Sequence, residues 1–355
     1  MKEVLQRHKQ YLLTGVSFVI PLIACGGILI ALSIAFVPMK PEGPDFTHAP
    51  VWIKEMSTIG GAAFSLFPAV LAGFIAYGMA GKPGLVPGLV GGFIAGMPQV
   101  ANGKSTSAGF LGALLIGLVA GHIVNLMKKL RVPAVIRPIM PIIVIPVISS
   151  LAVGALMLAL DLPLATMMVG LENSLSRLQS ESQIILAMAL GGMIAFDMGG
   201  PVNKAAFFFG VAMIQQGNYA IMGACAAAIC TPPLGLGLAT ILSRKRWSEE
   251  QRESGLAALG MGMVGITEGA IPFAASDPLR VIPTIMFGSM VSASIAMLGG
   301  VGDHAPHGGP IVLPVVDNRL VYVLAIVMGA LITALTINFV KKITETQIQS
   351  TQPKV

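Results

Sequence analysis

Charged residues are scarce in this chain of 355 residues, of which only 11% are Asp, Glu, Lys or Arg. Soluble domains carry about 25%. The segment 205–243 contains none, and it is long enough for about two membrane crossings of ~20 residues each. This scarcity excludes a water-soluble core. Because 55% of the residues are hydrophobic, the composition predicts an integral membrane protein. We expect one polytopic domain over residues 1–355, with an apolar body at roughly 11–343 and no separate soluble domain.

Cysteine is also rare, which excludes a scaffold held together by disulfides. The chain has Cys25, Cys225 and Cys230, all in apolar runs and without C-x-x-C spacing. We therefore expect them to be small packing residues, with no redox role.

Basic residues give the chain a net charge of +6, but they do not form the clustered soluble surface that nucleic-acid binding requires. They lie at the ends of apolar runs, where they favour the cytoplasmic side of a membrane. We therefore expect both termini in the cytoplasm. A signal peptide is disfavoured because the first apolar run, about 27 residues long, exceeds the ~7–15 residues of such a segment. The basic groups are Lys2/Arg7/Lys9, Lys128/Lys129/Arg131, Arg244/Lys245/Arg246 and Lys341/Lys342.

A helix break carries the first candidate site. The stretch AFDMGGPVNKAAFFFG, residues 195–210, places Asp197 and Lys204 in an otherwise uncharged run and separates them by Gly-Gly-Pro. This pattern predicts that a helix ends and a new one begins, with Asn203 and Lys204 in its first turn. The free N–H groups and the positive end of that helix suit an anionic or hydroxyl-rich ligand. The alternative is an Asp197–Lys204 ion pair that only stabilises the break.

Glu268 lies in a second interrupted apolar segment, GMVGITEGAIPFAASDPLRVIP, residues 262–283. An unpaired charge inside a membrane costs about 2.5–3.5 kcal/mol, so Asp197, Lys204 and Glu268 together would cost about 7.5–10 kcal/mol. Such residues must be paired, hydrated or functional. We expect the Glu268 carboxylate to face a cavity and to accept hydrogen bonds from hydroxyl groups. A structural ion pair is the alternative.

The stretch GDHAPHGGP, residues 302–310, contains too many Gly and Pro residues to be a helix, although it lies between two apolar spans. It is the best candidate for a re-entrant loop. Its histidines, His304 and His307, suit hydrogen bonding to sugar hydroxyls or proton transfer near neutral pH. Two alternatives stay open: a purely structural loop, and a metal site formed by Asp303, His304 and His307.

Four of these stretches carry a resemblance to a known family. LLTGVSFVIPLIACGGILIALS, AFDMGGPVNKAA, GITEGAIPFAASDPLRVIP and HAPHGG resemble the membrane permease component, enzyme IIC, of the fructose family of the bacterial phosphoenolpyruvate-dependent sugar phosphotransferase system. The resemblance implies an all-α integral membrane protein of about ten transmembrane or re-entrant helices around a central sugar site. It also implies a homodimer in the bacterial inner membrane. The family includes fructose-like permeases and at least one for a mannosyl-glycerate, and the motifs do not separate them.

The resemblance implies that the sugar is phosphorylated by a phosphocysteine on a IIB partner. The phosphoryl group comes from phosphoenolpyruvate through partner phosphoproteins, IIA among them, and no bound cofactor or metal is expected. The chain contains no IIA or IIB domain, so it would act as a phosphotransferase only in complex with a IIB partner.

We expect the site residues to divide the work as follows. Glu268 holds sugar hydroxyls and orients or accepts the proton of the attacked one, helped by His304 or His307. Asn203 and Lys204 contact the sugar and then the new phosphate, and Asp197 fixes Lys204.

The charged loop that contains Arg244, Lys245 and Arg246 is either a IIB docking surface or a solvated turn. Two other functional classes remain: an ion- or proton-coupled secondary sugar transporter, and an intramembrane metalloenzyme.

Overall fold

The computed structural model describes residues 2–40, 43–101, 104–133, 137–215 and 217–351. Within these ranges it describes no side chains at 2–5, 9, 101, 104–105, 171–172, 175–176, 178–181, 215 and 342–351. The helices are α1 (Lys2–Ala35), α2 (Val51–Ser65), α3 (Phe67–Ala80), α4 (Lys82–Ala95), α5 (Gly109–Met127), α6 (Ile145–Glu181), α7 (Gln183–Phe196), α8 (Pro201–Gln215), α9 (Tyr219–Leu242), α10 (Glu249–Met263), α11 (Ile271–Ser276), α12 (Pro278–Leu298) and α13 (Arg319–Thr351). Two short antiparallel hairpins pair β1 (Met39–Lys40) with β2 (Gly43–Pro44) and β3 (Gln99–Ala101) with β4 (Lys104–Thr106).

The predicted all-α membrane fold is confirmed. Within the described residues, seven helical segments are long and apolar enough to cross a membrane. The expected total of about ten includes shorter elements and stays a prediction. The seven segments are Gln6–Ala35, Val51–Ala80, Gly109–Met127, Met140–Gly170, Tyr219–Leu242, Pro278–Leu298 and Arg319–Lys341.

The chain forms two compact units, of which unit 1 comprises Met1–Gly26 and Ile59–Arg177. Its centre is the packing of α3 against α4 and α5. Gly84, Gly88 and Gly92 recur every fourth residue along α4 and lie directly against the segment 68–76 of α3. A Cβ atom at any of them would come within 2.4–2.6 Å of a backbone oxygen of α3. Small residues therefore allow the two helix backbones to approach closely, as is common in membranes.

Unit 2 comprises Gly27–Thr58 and Leu178–Val355. Helix α12 packs against α7, α9 and α13. The hydroxyl groups of Ser289 and Ser292 donate hydrogen bonds of 3.3 and 3.1 Å to the carbonyl oxygens of Ala228 and Ala227 on α9. Polar side chains thus join two apolar helices without leaving an unpaired hydroxyl.

Several helices of unit 2 are too short to span a membrane. Helices α7 and α8 have 14 and 15 residues. At ~1.5 Å per residue each is about 21–23 Å long, against a hydrocarbon core of ~30 Å.

Helices α10 and α11 form a hairpin. Gln251 Nε2, near the start of α10, lies 3.4 Å from Ser276 Oγ at the end of α11. The two ends of the hairpin are therefore adjacent. This is the shape of a re-entrant segment, which the sequence pattern suggested for residues 302–310.

Candidate functional site

The helix break after α7 is held by Asp197. Its Oδ2 accepts a hydrogen bond of 2.8 Å from the backbone N–H of Val202, and its Oδ1 accepts one of 2.9 Å from that of Asn203. These donors belong to the first turn of α8, where no intrahelical partner exists. The structure thus places the restart at Pro201, as the sequence predicts, and Asp197 stabilises it by capping the new helix.

Lys204 is turned toward Glu268. Its Nζ lies 3.7 Å from Glu268 Oε1 and 3.4 Å from the side-chain oxygen of Asn203. The side chains of Lys204 and Glu268 are 11% and 12% exposed, so the pair is largely withdrawn from solvent. Lys204 thus pairs with Glu268 and not with Asp197, whose two oxygens accept backbone N–H groups of α8.

Asn203 is buried and ties α8 back to α7. Its amide nitrogen donates a hydrogen bond of 2.6 Å to the carbonyl oxygen of Ile194. The side-chain oxygen therefore points to Lys204 with its orientation fixed, and Asn203 supports the ammonium group.

Glu268 lies in a single 3-10 turn, Thr267–Ala270, that follows α10. Its Oε1 is buried and accepts no hydrogen bond from the described residues. The 3.7 Å separation from Lys204 Nζ is too long for one. Gly199 makes room for this carboxylate, since a Cβ atom there would lie 2.1 Å from Oε1. A buried carboxylate oxygen thus retains its capacity to accept a hydrogen bond from a ligand.

His307 reaches the same place from the loop between α12 and α13. Its Nε2 donates a hydrogen bond of 2.7 Å to the carbonyl oxygen of Val264, four residues before Glu268. In the neutral ring, Nδ1 is then the acceptor nitrogen. The structure therefore pairs Lys204 with Glu268 and fixes His307 to the turn that precedes Glu268.

The loop that carries His307 is clamped by its backbone. Gly309 donates its N–H to the carbonyl oxygen of Ala226 at 3.1 Å and accepts a hydrogen bond of 2.9 Å from the hydroxyl group of Tyr322. Its φ of +84° and that of Gly265 at +73° suit glycine, and the two residues lie in direct contact. Tyr322, fully buried on α13, was not among the predicted residues. Its signal in the sequence is weak: one tyrosine in an apolar span.

His304 does not join this group through any described contact. Its Nε2 lies 2.8 Å from Asp317 Oδ2, and its ring centre lies 3.9 Å from that of Tyr219. Asp303 is fully buried and accepts the backbone N–H of Ala305. Because these side chains have separate partners, the alternative metal site formed by Asp303 and the two histidines is not assembled. No group of three metal-ligating side chains occurs in the described part of the chain.

The family is decided by sequence comparison. A family model described as "Phosphotransferase system, EIIC" matches residues 13–288. The chain belongs to this family. The site described above lies mostly within the matched part, with His307 and Tyr322 beyond it. The predicted permease component of a sugar phosphotransferase system is confirmed at this level, as is a multi-pass membrane location.

Individual relatives of this EIIC chain extend over nearly its whole length. It is 43% identical over 353 residues to the "Fructose-like permease IIC component 2" of Escherichia coli (strain K12), covering 99% of this chain and 96% of the relative. It is 36% identical over 355 residues to the "PTS system fructose-specific EIIC component" of Haloferax volcanii, covering 96% and 94%. With the "PTS system fructose-specific EIIABC component" of Bacillus subtilis (strain 168) the identity is 40%, over 94% of this chain but only 52% of the relative.

The basic group of this EIIC chain follows α9 as a 3-10 turn, Arg244–Arg246. Arg244 and Lys245 are exposed, whereas the guanidinium of Arg246 donates a hydrogen bond of 2.9 Å to the carbonyl oxygen of Asn338 on α13. Trp247, which is buried, binds the Asn338 side chain. Only two of the three predicted docking residues are therefore presented at the surface, and the third fixes the turn. An open cavity of about 270 Å³ beside them is lined by Thr240, Ile241, Arg244, Glu249, Arg252, Glu253 and Leu256.

Proposed function

We propose that this EIIC chain binds and translocates fructose or a fructose-like sugar and presents it at the cytoplasmic side to a separate, phosphorylated IIB partner. Relatives named for fructose at 36–44% identity support the sugar class. One structural observation carries the proposal. Glu268 and Lys204 form a largely buried pair beside a helix break, and Oε1 of Glu268 lacks a hydrogen-bond donor among the described residues.

The arrangement suits a ligand rich in hydroxyl groups. Oε1 of Glu268 offers an acceptor and Lys204 offers a donor, so neighbouring hydroxyls of one sugar can bind both. Nδ1 of His307 is a further acceptor and lies beside Gly27 of α1. Such a ligand supplies the hydrogen bond that Oε1 lacks, and a site with unpaired polar groups discriminates strongly for a ligand that pairs them.

Phosphoryl transfer then needs little covalent chemistry from the permease. The sugar hydroxyl oxygen attacks the phosphorus of the partner's phosphocysteine, the P–S bond breaks, and the thiolate leaves. The hydroxyl proton passes to Glu268 or to Nδ1 of His307, and Lys204 neutralises charge on the phosphoryl oxygens. Positioning and charge neutralisation supply most of the rate enhancement in such reactions.

Partners follow from the same proposal. The chain spans about half the length of several curated relatives, whose names join EIIC to EIIA or EIIB in one protein. We therefore propose that IIA and IIB act on this chain as phosphoryl donors from phosphoenolpyruvate, without a bound cofactor. Arg244 and Lys245 form the docking surface for IIB, beside the charged cavity.

The finer architecture is part of the proposal. Eleven membrane-embedded elements, close to the expected total of about ten, result when α4, α7, α8 and the hairpin α10–α11 are added to the seven long spans. We propose a single-domain chain in the bacterial inner membrane, surrounded by lipid and paired as a homodimer. Both termini would be cytoplasmic because the basic groups favour that side. The comparisons do not favour the ion-coupled alternative.

Substitution Glu268→Gln tests the proposed site. It keeps the size of the side chain but removes the charge and the proton acceptor, so we expect phosphorylation of fructose by phospho-IIB to fall by about 10²–10⁴-fold. The matched control is Glu55→Gln, an exposed position on α2, which should keep the wild-type rate. A correctly inserted Glu268→Gln protein that phosphorylates fructose at the wild-type rate would remove Glu268 from the mechanism.

A further inference from the structure

A buried phenylalanine lies beside the ammonium group of Lys204. Phe207 is 4% exposed and follows Lys204 by three positions on α8, so the two side chains share one face of the helix. The Nζ atom of Lys204 lies over the Phe207 ring, 5.8 Å from its centroid. This distance is within the ~6 Å range of a cation–π interaction. Phe208 packs edge-on against the Phe207 ring, with centroids 5.2 Å apart, and restricts the ring orientation.

The polar contacts of the ammonium group are long. Nζ lies 3.4 Å from the side-chain oxygen of Asn203 and 3.7 Å from Glu268 Oε1. Charge-assisted hydrogen bonds between nitrogen and oxygen are usually about 2.7–2.9 Å long. Among the described residues, no hydrogen bond of that length holds the buried charge. The electrostatic attraction of the ring face therefore makes up part of its stabilisation.

An aromatic ring differs from a close carboxylate in what it leaves free. The ring attracts the positive charge without accepting a strong hydrogen bond, so the three donors of the ammonium group stay available. A closer approach to Glu268 would also stabilise the charge, but it would occupy a donor of Lys204 and the acceptor Oε1 together. The observed arrangement keeps Lys204 charged and leaves both groups open to a ligand.

We propose that Phe207 is a positioning residue of the sugar site, which holds the charged Lys204 through its ring face and leaves the ammonium group free to donate to a ligand. The inference rests on the proposed function, because it assigns Phe207 to the site that binds the sugar and the transferred phosphoryl group. Phe207 acts through Lys204 and not by contact with the ligand.

The test replaces Phe207 by mono-, di- and trifluorinated phenylalanine in the full-length protein. Each fluorine withdraws charge from the ring face and changes its shape little, so the cation–π attraction weakens stepwise. We expect the folding equilibrium constant, measured by detergent-induced unfolding, to fall by about 2–30-fold across the series. The same series in Lys204→Met should show no such dependence. The matched control is the fluorine series at Phe209, a buried residue of the same helix, which should also be flat.

A flat series at Phe207, or an equal decline in Lys204→Met, would overturn the proposal. Unfolding does not involve the sugar, so this measurement tests the contact whether or not fructose is the substrate. The positioning role is tested by the kcat for phosphorylation of fructose by phospho-IIB, which should fall with each fluorine at Phe207 and stay constant at Phe209.

The outcomes separate this inference from the proposed function. A constant kcat across the folded Phe207 series, with a wild type that phosphorylates fructose, would remove Phe207 from the site and leave the proposed function standing. A wild type that does not phosphorylate fructose would refute the proposed function and, with it, the positioning role.

Discussion

Replacing Gly199 by alanine perturbs the proposed sugar site with a single methyl group. The added Cβ atom would lie 2.1 Å from Oε1 and 2.7 Å from Cδ of Glu268. Carbon and oxygen atoms do not approach so closely, so the carboxylate must move by about 1 Å, a displacement that can reduce an enzymatic rate by ~10²-fold. Gly199 also has a φ of +105°, and a non-glycine residue there adds about 1–3 kcal/mol of backbone strain.

The control separates strain from the displacement of Glu268. Gly217, in the turn before α9, has a φ of +76°, and a Cβ atom there would meet nothing within 4 Å. Gly217→Ala therefore adds backbone strain without touching the site.

The assay is phosphorylation of labelled fructose by phospho-IIB in membranes, with the thermal unfolding midpoint measured alongside. We expect both variants to lose some stability and only Gly199→Ala to lose about 10²-fold in rate. A folded Gly199→Ala protein with the wild-type rate would refute the proposed placement of Glu268.

Two further predictions concern the supports of the site, and a third concerns the docking surface. Asp197→Ala removes the acceptor for two N–H groups of α8 and should lower stability by about 0.5–2 kcal/mol, measured by thermal unfolding in detergent; an unchanged midpoint would contradict the capping role. Tyr322→Phe leaves the buried carbonyl of Gly309 without its hydroxyl donor, which costs about 1–3 kcal/mol and should slow fructose phosphorylation. Arg244→Glu combined with Lys245→Glu should weaken binding of the IIB partner in a salt-dependent way and leave sugar affinity unchanged. Equal partner affinity before and after the charge reversal would remove this docking surface.

The charged groups near the helix break could be found from the sequence, because charge inside an apolar run is a strong signal. Asp197, Lys204 and Glu268 were identified in this way, and the restart of the helix at Pro201 follows from local backbone preferences. The pairing of these charges was not predictable. Asp197 could bind either Lys204 or the free N–H groups of α8, and only the geometry of the turn places both its oxygens on the backbone.

The loop 302–310 shows a second limit. Its two histidines are three positions apart, and each is followed by a small residue. His307 nevertheless turns to Val264, whereas His304 turns to Asp317. A Gly- and Pro-rich loop has no side-chain periodicity, so the sequence does not say which histidine faces the site. Tyr322 was missed for a related reason, since its hydroxyl partner is a backbone carbonyl.

The number of membrane crossings was hard to predict because hydropathy does not show where the chain reverses direction. The uncharged run 205–243 has the length of two spans, but the chain turns at Gly217 with a φ of +76° and divides it unequally into most of α8 and the whole of α9. Hydropathy reports how many apolar residues are available. It does not report where the backbone reverses, because one glycine is sufficient for that.

Uptake of labelled fructose into membrane vesicles tests the central claim most directly. The vesicles are supplied with phosphoenolpyruvate and the general, IIA and IIB components, and the accumulated product is analysed. The account predicts phosphorylated fructose that is absent when IIB is withheld. Accumulation of unmodified fructose driven by an ion gradient, with or without IIB, would contradict it.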